Sequence, residues 1–376
     1  ISKTISLFLT CCFSILAYTI SGTPFVDHHA IFFLLISTIL MIKVINIEKN
    51  NLWIFIILFF FLSFFTKQVP ATYIIFTQGI IVSFYIFYEK KYIIINYIAL
   101  TCFFLILTFV SFLLYLNIDL KSFYIQYFDY PKSIGSSRLT NFEITLNSFF
   151  NNYKFILLPL ILNLILIIKR NWKQVDKSLK KEIYTFSIML CFVFGSIFHQ
   201  LMTKNQIYIY FLVPILWGAL LAEIKLTNHK HKLLFSSLLI LSIFFITLKY
   251  HYRYNESRKF HELENVDLTK AIEANILNKN LNGLNWINPF YKGSPKDEII
   301  LINEGIKNIE NEKKEIILFT HYLFLESVTN KKLNYPARTF TMDGASIPVM
   351  GTKYFEYYRS FFANLIKSKN IEKIYF

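Results

Sequence analysis

Polar and ionisable residues that stand beside long apolar blocks are the first candidates for chemistry, because such groups are costly near hydrocarbon and usually face a cavity or a partner. Three clusters have this character: T-P-F-V-D-H-H-A (Thr23 to Ala30), F-T-K-Q-V-P (Phe65 to Pro70) and H-Q-L-M-T-K-N-Q-I-Y-I-Y-F-L-V-P (His199 to Pro214). In the first, Asp27 stands where an apolar span begins, a place that the helix dipole makes favourable for an acid even if the residue is only a cap. His28 and His29 follow it and add titratable groups able to orient a polyhydroxylated substrate. A metal centre is weakly supported, since adjacent helical residues do not share a face and no third ligand is identifiable. No cofactor is therefore assigned, and a divalent metal is left open.

Lys67, with Gln68 beside it, lies in a turn so short that its ammonium must stay near the membrane boundary, as a snorkelling lysine also would. Lys204 is placed similarly, with Asn205 and Gln206 next to it and Tyr208 and Tyr210 alternating into the following apolar block. His199 opens the same cluster. Two lysines on one side, each with hydrogen-bonding neighbours, are suited to seat a lipid-borne phosphate.

The elements that must position these residues are membrane helices. Of the 376 residues, 55% are hydrophobic, 18% aromatic and only 17% charged, and mean hydropathy is +0.44, well outside the range of ordinary soluble chains. The apolar residues come in blocks close to the length of a bilayer crossing. Nine spans are expected, at about 4–20, 30–46, 52–66, 70–88, 93–116, 153–169, 183–198, 206–223 and 232–250. The formal charge of +15 does not point to nucleic acid, because the basic residues cluster in loops between the blocks. Cys11, Cys12, Cys102 and Cys191 all fall inside apolar blocks and read as small core residues.

Lys43 and Lys49, Lys90 and Lys91, Lys169 to Lys181, and Lys225 to Lys232 occupy alternate connections, which the positive-inside rule makes cytoplasmic. The three polar clusters, the long connection 117–152 and everything after Tyr250 then share the outer side, the periplasm of a bacterium. The long connection carries Phe123, Tyr124, Tyr127, Phe128 and Tyr130, a run suited to an interfacial amphipathic helix.

Two domains are expected, a membrane domain over 1–250 and an extracytoplasmic one over 251–376. In the second, about Asp297 to Asn311 has helical apolar spacing, Glu315 to Thr320 reads as a buried strand, Tyr354 to Ser368 as a helix and Ile371 to Phe376 as a strand. That order predicts a small α/β domain with parallel pairing. The chain opens on Ile1 directly before an apolar block and stops within an expected strand, so it is read as a segment of a longer protein.

Taken together, the clusters resemble the GT-C glycosyltransferases, membrane enzymes that use polyprenyl-phosphate sugars, and in particular the protein mannosyltransferase and aminoarabinose transferase branch. There an acidic residue opens a helix after the second outer loop, as Asp27 does in P-F-V-D-H-H-A. An L-T-K-G-P-like turn follows two spans later, which F-T-K-Q-V-P resembles apart from Gln68 and Val69. A basic residue followed by Tyr and Pro opens a late helix, as Lys204, Tyr208, Tyr210 and Pro214 do.

The resemblance implies a donor of polyprenyl-phosphate sugar, an acceptor glycan, lipid or protein, and transfer with inversion at the outer face of a bacterial inner membrane. It places the catalytic base on an Asp in the first outer loop, N-terminal to residue 1, and leaves Asp27 as an auxiliary acid. His28, His29, Lys67, Gln68, His199, Lys204, Asn205, Tyr208 and Tyr210 become substrate-binding candidates. T-H-Y (Thr320 to Tyr322) and M-D-G-A-S-I-P-V-M-G (Met342 to Gly351) are expected to be loops facing that site. The alternatives are a transporter or flippase of lipid-linked or polar substrates, for which no inverted repeat is found, and a scaffolding membrane protein, which leaves the polar clusters unexplained.

Overall fold

Apolar stretches that can bury no backbone polar group must satisfy them internally, and the chain does so by folding mostly into helices. The structure, a computed structural model, describes residues 2–17, 26–139, 146–171, 177–203, 208–226, 231–253, 266–320, 322–335, 337 and 346–375. It divides into two compact units, residues 1–120 with 138–261, and residues 121–137 with 262–376.

The first unit contains α1 (Lys3–Leu16), α2 (Val26–Ile47), α3 (Trp53–Thr66), α4 (Gln68–Tyr88) and α5 (Ile93–Tyr115), and later α8 (Leu146–Asn171), α9 (Lys177–Met202), α10 (Leu212–Leu226) and α11 (Lys232–His251). Among the described residues six helices are long and apolar enough to cross a membrane: α2, α4, α5, α8, α9 and α11. The nine expected spans are thus more than the helix lengths support. Each expected block contains a helix, but α1 and α3 have 14 residues and α10 has 15, lengths of roughly 21 to 23 Å against a hydrocarbon core of about 30 Å.

α10 is short for a visible reason. Residues 208–211 are apolar and buried yet not helical, and Ile209 N–H donates to the Gln200 side-chain oxygen at 3.1 Å, which replaces a helical partner.

α2 is apolar around most of its circumference and accordingly central, packing on α3, α4 and α9. Small polar residues fasten it. Ser63 Oγ donates to Ala30 O at 2.8 Å and Ser37 Oγ to Ile56 O at 3.1 Å, while the buried Gln78 Nε2 donates to Thr38 Oγ1 at 2.9 Å and Ile188 O at 3.1 Å. Such contacts do in lipid what apolar burial does in water. α5 is the opposite case: Leu100, Phe103 and Phe104 are 59%, 61% and 60% exposed. An apolar face of that extent is a liability in water and an ordinary lipid contact in a membrane.

At the end of α2 away from Asp27, Glu48 bridges Lys91 at 2.7 Å and Lys181 at 2.6 Å. Close by in the chain order of the same connections, Arg170 bridges Glu182 and Glu223, each at 2.6 Å. These ion pairs tie together the connections in which the basic residues concentrate.

The second unit begins with α6 (Leu120–Tyr124), a π-helical turn (Ile125–Asp129) and α7 (Tyr130–Leu139), so the aromatic run is helical as its composition suggests. Tyr130 is buried, with its ring 5.1 Å from Tyr358 and 5.8 Å from Tyr354, and Gln126 Nε2 reaches the Tyr357 hydroxyl at 3.3 Å. This segment therefore belongs with the C-terminal residues rather than with the membrane helices between which it lies in sequence.

The unit continues with β1 (Ile272–Glu273) and β2 (Asn285–Trp286), which pair antiparallel, then α12 (Pro295–Asn311), β3 (Glu315–Leu318), α13 (Leu325–Val328), α14 (Phe355–Ser368) and β4 (Ile371–Tyr375). α12 starts at a capping box formed by Ser294 and Asp297 with Pro295 at its first position. Its Ile306 and Ile309 pack on Ile316, Leu318, Leu325 and Leu333, and β3 pairs parallel with β4.

Glu298 is buried yet fully engaged, accepting from Trp286 Nε1 at 2.8 Å, Asn288 Nδ2 at 2.6 Å and the Tyr322 hydroxyl at 2.6 Å. Burial and this carboxylate push the Tyr322 phenol up to about 12.

Candidate functional site

The α3–α4 junction is where the chain is made to present a cation. Lys67 takes extended backbone angles between two helices, its N–H closing α3 on Ser63 O at 2.9 Å. Ser63 is itself anchored on Ala30 of α2, one turn from Asp27, so the turn cannot drift away from the start of α2. Lys67 Nζ comes within 3.7 Å of Asp27 Oδ2, with its side chain 45% exposed. Near the C-terminal end of α9, His199 Nε2 lies 2.9 Å from Asp27 Oδ1, and the His199 side chain is 1% exposed. One carboxylate thus joins three helical elements, one oxygen toward an imidazole and the other toward an ammonium.

A fourth residue closes this group. The Tyr73 ring of α4 stands 6.2 Å from the His199 ring and 5.2 Å from Phe198, and its hydroxyl is shielded from solvent. Sequence reasoning missed Tyr73, which reads as one aromatic residue among many in a span. The signal that was there is its position six residues beyond Lys67, within the first turns of the helix that the Lys67 turn opens.

The remaining described candidates take up contacts of their own. His28 is buried, with its ring 6.2 Å from Phe32 and close to the Tyr208 backbone. His29 and Gln68 are half-buried on α2 and at the first position of α4. Tyr208 and Tyr210 form part of the packed interior. Both are buried in an aromatic column in which Tyr208 stacks on Tyr210 at 5.6 Å and Tyr210 on Tyr250 at 3.8 Å. Lys204 and Asn205, like His321 and residues 338–345, lie outside the described residues.

Among the described residues no group of three or more His, Cys, Asp or Glu side chains is placed to hold a metal. The arrangement of Asp27, His199 and Lys67 supplies an oriented imidazole, a carboxylate that keeps it oriented, and a half-exposed cation able to meet an anion arriving from the same end of the bundle. The chain matches no protein-family model, no curated protein and no solved structure with significance.

Proposed function

We propose that the chain is a GT-C-type glycosyltransferase of a bacterial inner membrane, moving a sugar from a polyprenyl-phosphate donor to an acceptor glycan, lipid or protein with inversion. In this reading the three shorter apolar helices are further membrane segments of a nine-helix domain. The Asp27 end of α2 faces the outside, and the α/β unit is extracytoplasmic.

The observation that carries the proposal is the convergence of Lys67 and His199 on Asp27. A lipid-borne phosphate that gains charge as the glycosidic bond breaks calls for a cation at the membrane boundary, and Lys67 is partly exposed there. The base that takes the proton of the acceptor is expected N-terminal to residue 1, and the Asp27–His199 pair would help hold the acceptor or sugar beside it. The phosphate leaves as an anion and needs no general acid. The lysine asymmetry of the connections supports the outward orientation.

An intramembrane carboxylate beside a histidine also suits an ion-coupled transporter. The two readings part on whether the sugar–phosphate bond is broken. Purified full-length protein in nanodiscs, given a panel of radiolabelled polyprenyl-phosphate hexoses and pentoses with membrane-extract acceptors, is expected to release polyprenyl phosphate and label an acceptor. Intact donor throughout, with uptake of labelled solute into proteoliposomes, would overturn the proposal in favour of transport.

A further inference from the structure

We infer that Lys154 and Lys249 form the headgroup seat of an anionic phospholipid, whose two acyl chains lie along the exposed stripes of α8 and α11. The site is independent of glycosyl transfer, since it uses none of Asp27, Lys67 and His199.

Both ammonium groups gather at one aromatic ring. Lys154 Nζ lies 5.5 Å and Lys249 Nζ 5.1 Å from the centroid of Phe155. A ring attracts a cation, yet two cations drawn to the same ring repel each other. Arg253, just beyond the end of α11, adds to the positive field at Lys249. Both lysines are exposed, and neither is paired with an acid among the described residues. Like charges crowded beside hydrocarbon are costly without an anion among them.

The ring that gathers the lysines is held in place. Phe155 meets Tyr250 edge-on at 6.2 Å, and Tyr250 stacks on Tyr210 at 3.8 Å, both tyrosines being buried. Trp217 Nε1 donates to Phe155 O at 2.7 Å, which ties α8 to α10 at that level. α8 and α11 both pack on α10, so the two cations are carried by elements fixed to a common neighbour.

From each lysine an apolar stripe runs at helical spacing. On α8, Leu158, Ile161 and Ile165 follow Lys154; on α11, Phe245, Leu241 and Leu238 precede Lys249. All six are exposed. A phospholipid matches this pattern, with its phosphate at the lysines and its hydrocarbon along the stripes. Two stripes accommodate two chains, which favours a diacyl lipid over the single chain of a polyprenyl phosphate.

The two ends of α8 treat their basic residues differently. Arg170, in its last turn, is neutralised by Glu182 and Glu223, whereas Lys154 has only the ring. In the orientation proposed above, Lys154 and Lys249 stand on the outer side, where basic residues are sparse by the positive-inside rule. An unneutralised pair there is explained by a bound anion.

The test is native mass spectrometry of the full-length protein in mild detergent, titrated with phosphatidylglycerol or with phosphatidylcholine, whose headgroup carries its own cation. For the first lipid bound, phosphatidylglycerol should be preferred by about tenfold or more. Lys154→Met and Lys249→Met keep the apolar stems. Each should weaken phosphatidylglycerol binding about fivefold, and the double variant about twentyfold, with phosphatidylcholine binding unchanged. Lys232→Met, at the other end of α11, should change the first binding step by less than about twofold. Equal affinity of wild type for the two lipids, or a loss in Lys232→Met as large as in the double variant, overturns the inference. A polyprenyl phosphate that displaces phosphatidylglycerol from wild type at roughly a tenth of its concentration, and fails to bind the double variant, assigns the seat to a single-chain carrier and overturns it as well.

Discussion

Lys181 Nζ lies 2.6 Å from Glu48 Oε1, although 133 residues separate the two in the chain. Together with Lys91 on the other carboxylate oxygen, it locks the end of α2 to the starts of α5 and α9. The two lysines, Lys181 foremost, hold the Glu48 carboxyl down at about 2 from an ordinary 4.5. A depressed carboxylate contributes its stability above the ordinary value and loses it as pH falls toward the folded one. Glu48→Gln is therefore expected to lower the melting temperature in detergent at neutral pH. The gap to wild type should shrink below pH 4.5 and close near pH 2. A gap that does not change with pH would show that the pair of lysines is not what Glu48 serves.

How far such contacts are legible in sequence depends on what the signal encodes. Hydropathy marks where apolar blocks lie, and every expected block contains a helix. It does not mark hydrogen bonding, so it predicts helix over residues 208–211, where Gln200 replaces a helical partner. Asp27 and Lys67 stood out because charge is rare beside hydrocarbon. Their junction with His199 did not, because Asp27 and His199 stand 172 positions apart and no spacing rule spans that distance. Tyr73 was hidden by its type, being one of 24 tyrosines. Glu298 was hidden by its place, since an acid in the first turn of a capped helix is expected for the dipole alone.

Glu298 gives a test confined to the second unit. It is buried and accepts three hydrogen bonds, so removing its charge leaves Trp286, Asn288 and Tyr322 competing for one amide oxygen. Glu298→Gln should cost about 2 to 4 kcal/mol, the range for breaking a buried charged network. Trp286 is the one tryptophan of this unit among the four in the chain. With the other three replaced by Phe, its emission should shift to the red at a lower denaturant concentration in the variant. An unshifted midpoint would mean that the carboxylate is not what organises these three side chains.

Orientation can be read by labelling single cysteines in an otherwise cysteine-free chain. α9 starts at Lys177, and Lys181 joins the Glu48 end of α2, opposite the end that carries Asp27. A membrane-impermeant maleimide applied outside intact cells should modify Ser137→Cys and Ser346→Cys and spare Lys177→Cys until the membrane is permeabilised. Labelling of Lys177→Cys from outside would invert the topology and place the Asp27 cluster in the cytoplasm.

The last test separates a lysine that meets a substrate from one that merely reaches for water. The Lys67–Asp27 pair is 3.7 Å long and the Lys67 side chain is 45% exposed, so the pair itself contributes little, about 1 kcal/mol or less. Lys67→Met keeps the apolar stem and removes the charge. Melting temperature in nanodiscs should accordingly stay within about 2 °C of wild type, because a loss of that size moves a protein this large only slightly. Turnover of a polyprenyl-phosphate sugar should fall by about a hundredfold or more, the scale of losing one group that stabilises charge in the transition state. Lys67→Arg, which restores a cation on a longer and flatter head, should recover part of that loss. Near-normal turnover in Lys67→Met would show that the ammonium only snorkels, and the phosphate would then need a different seat.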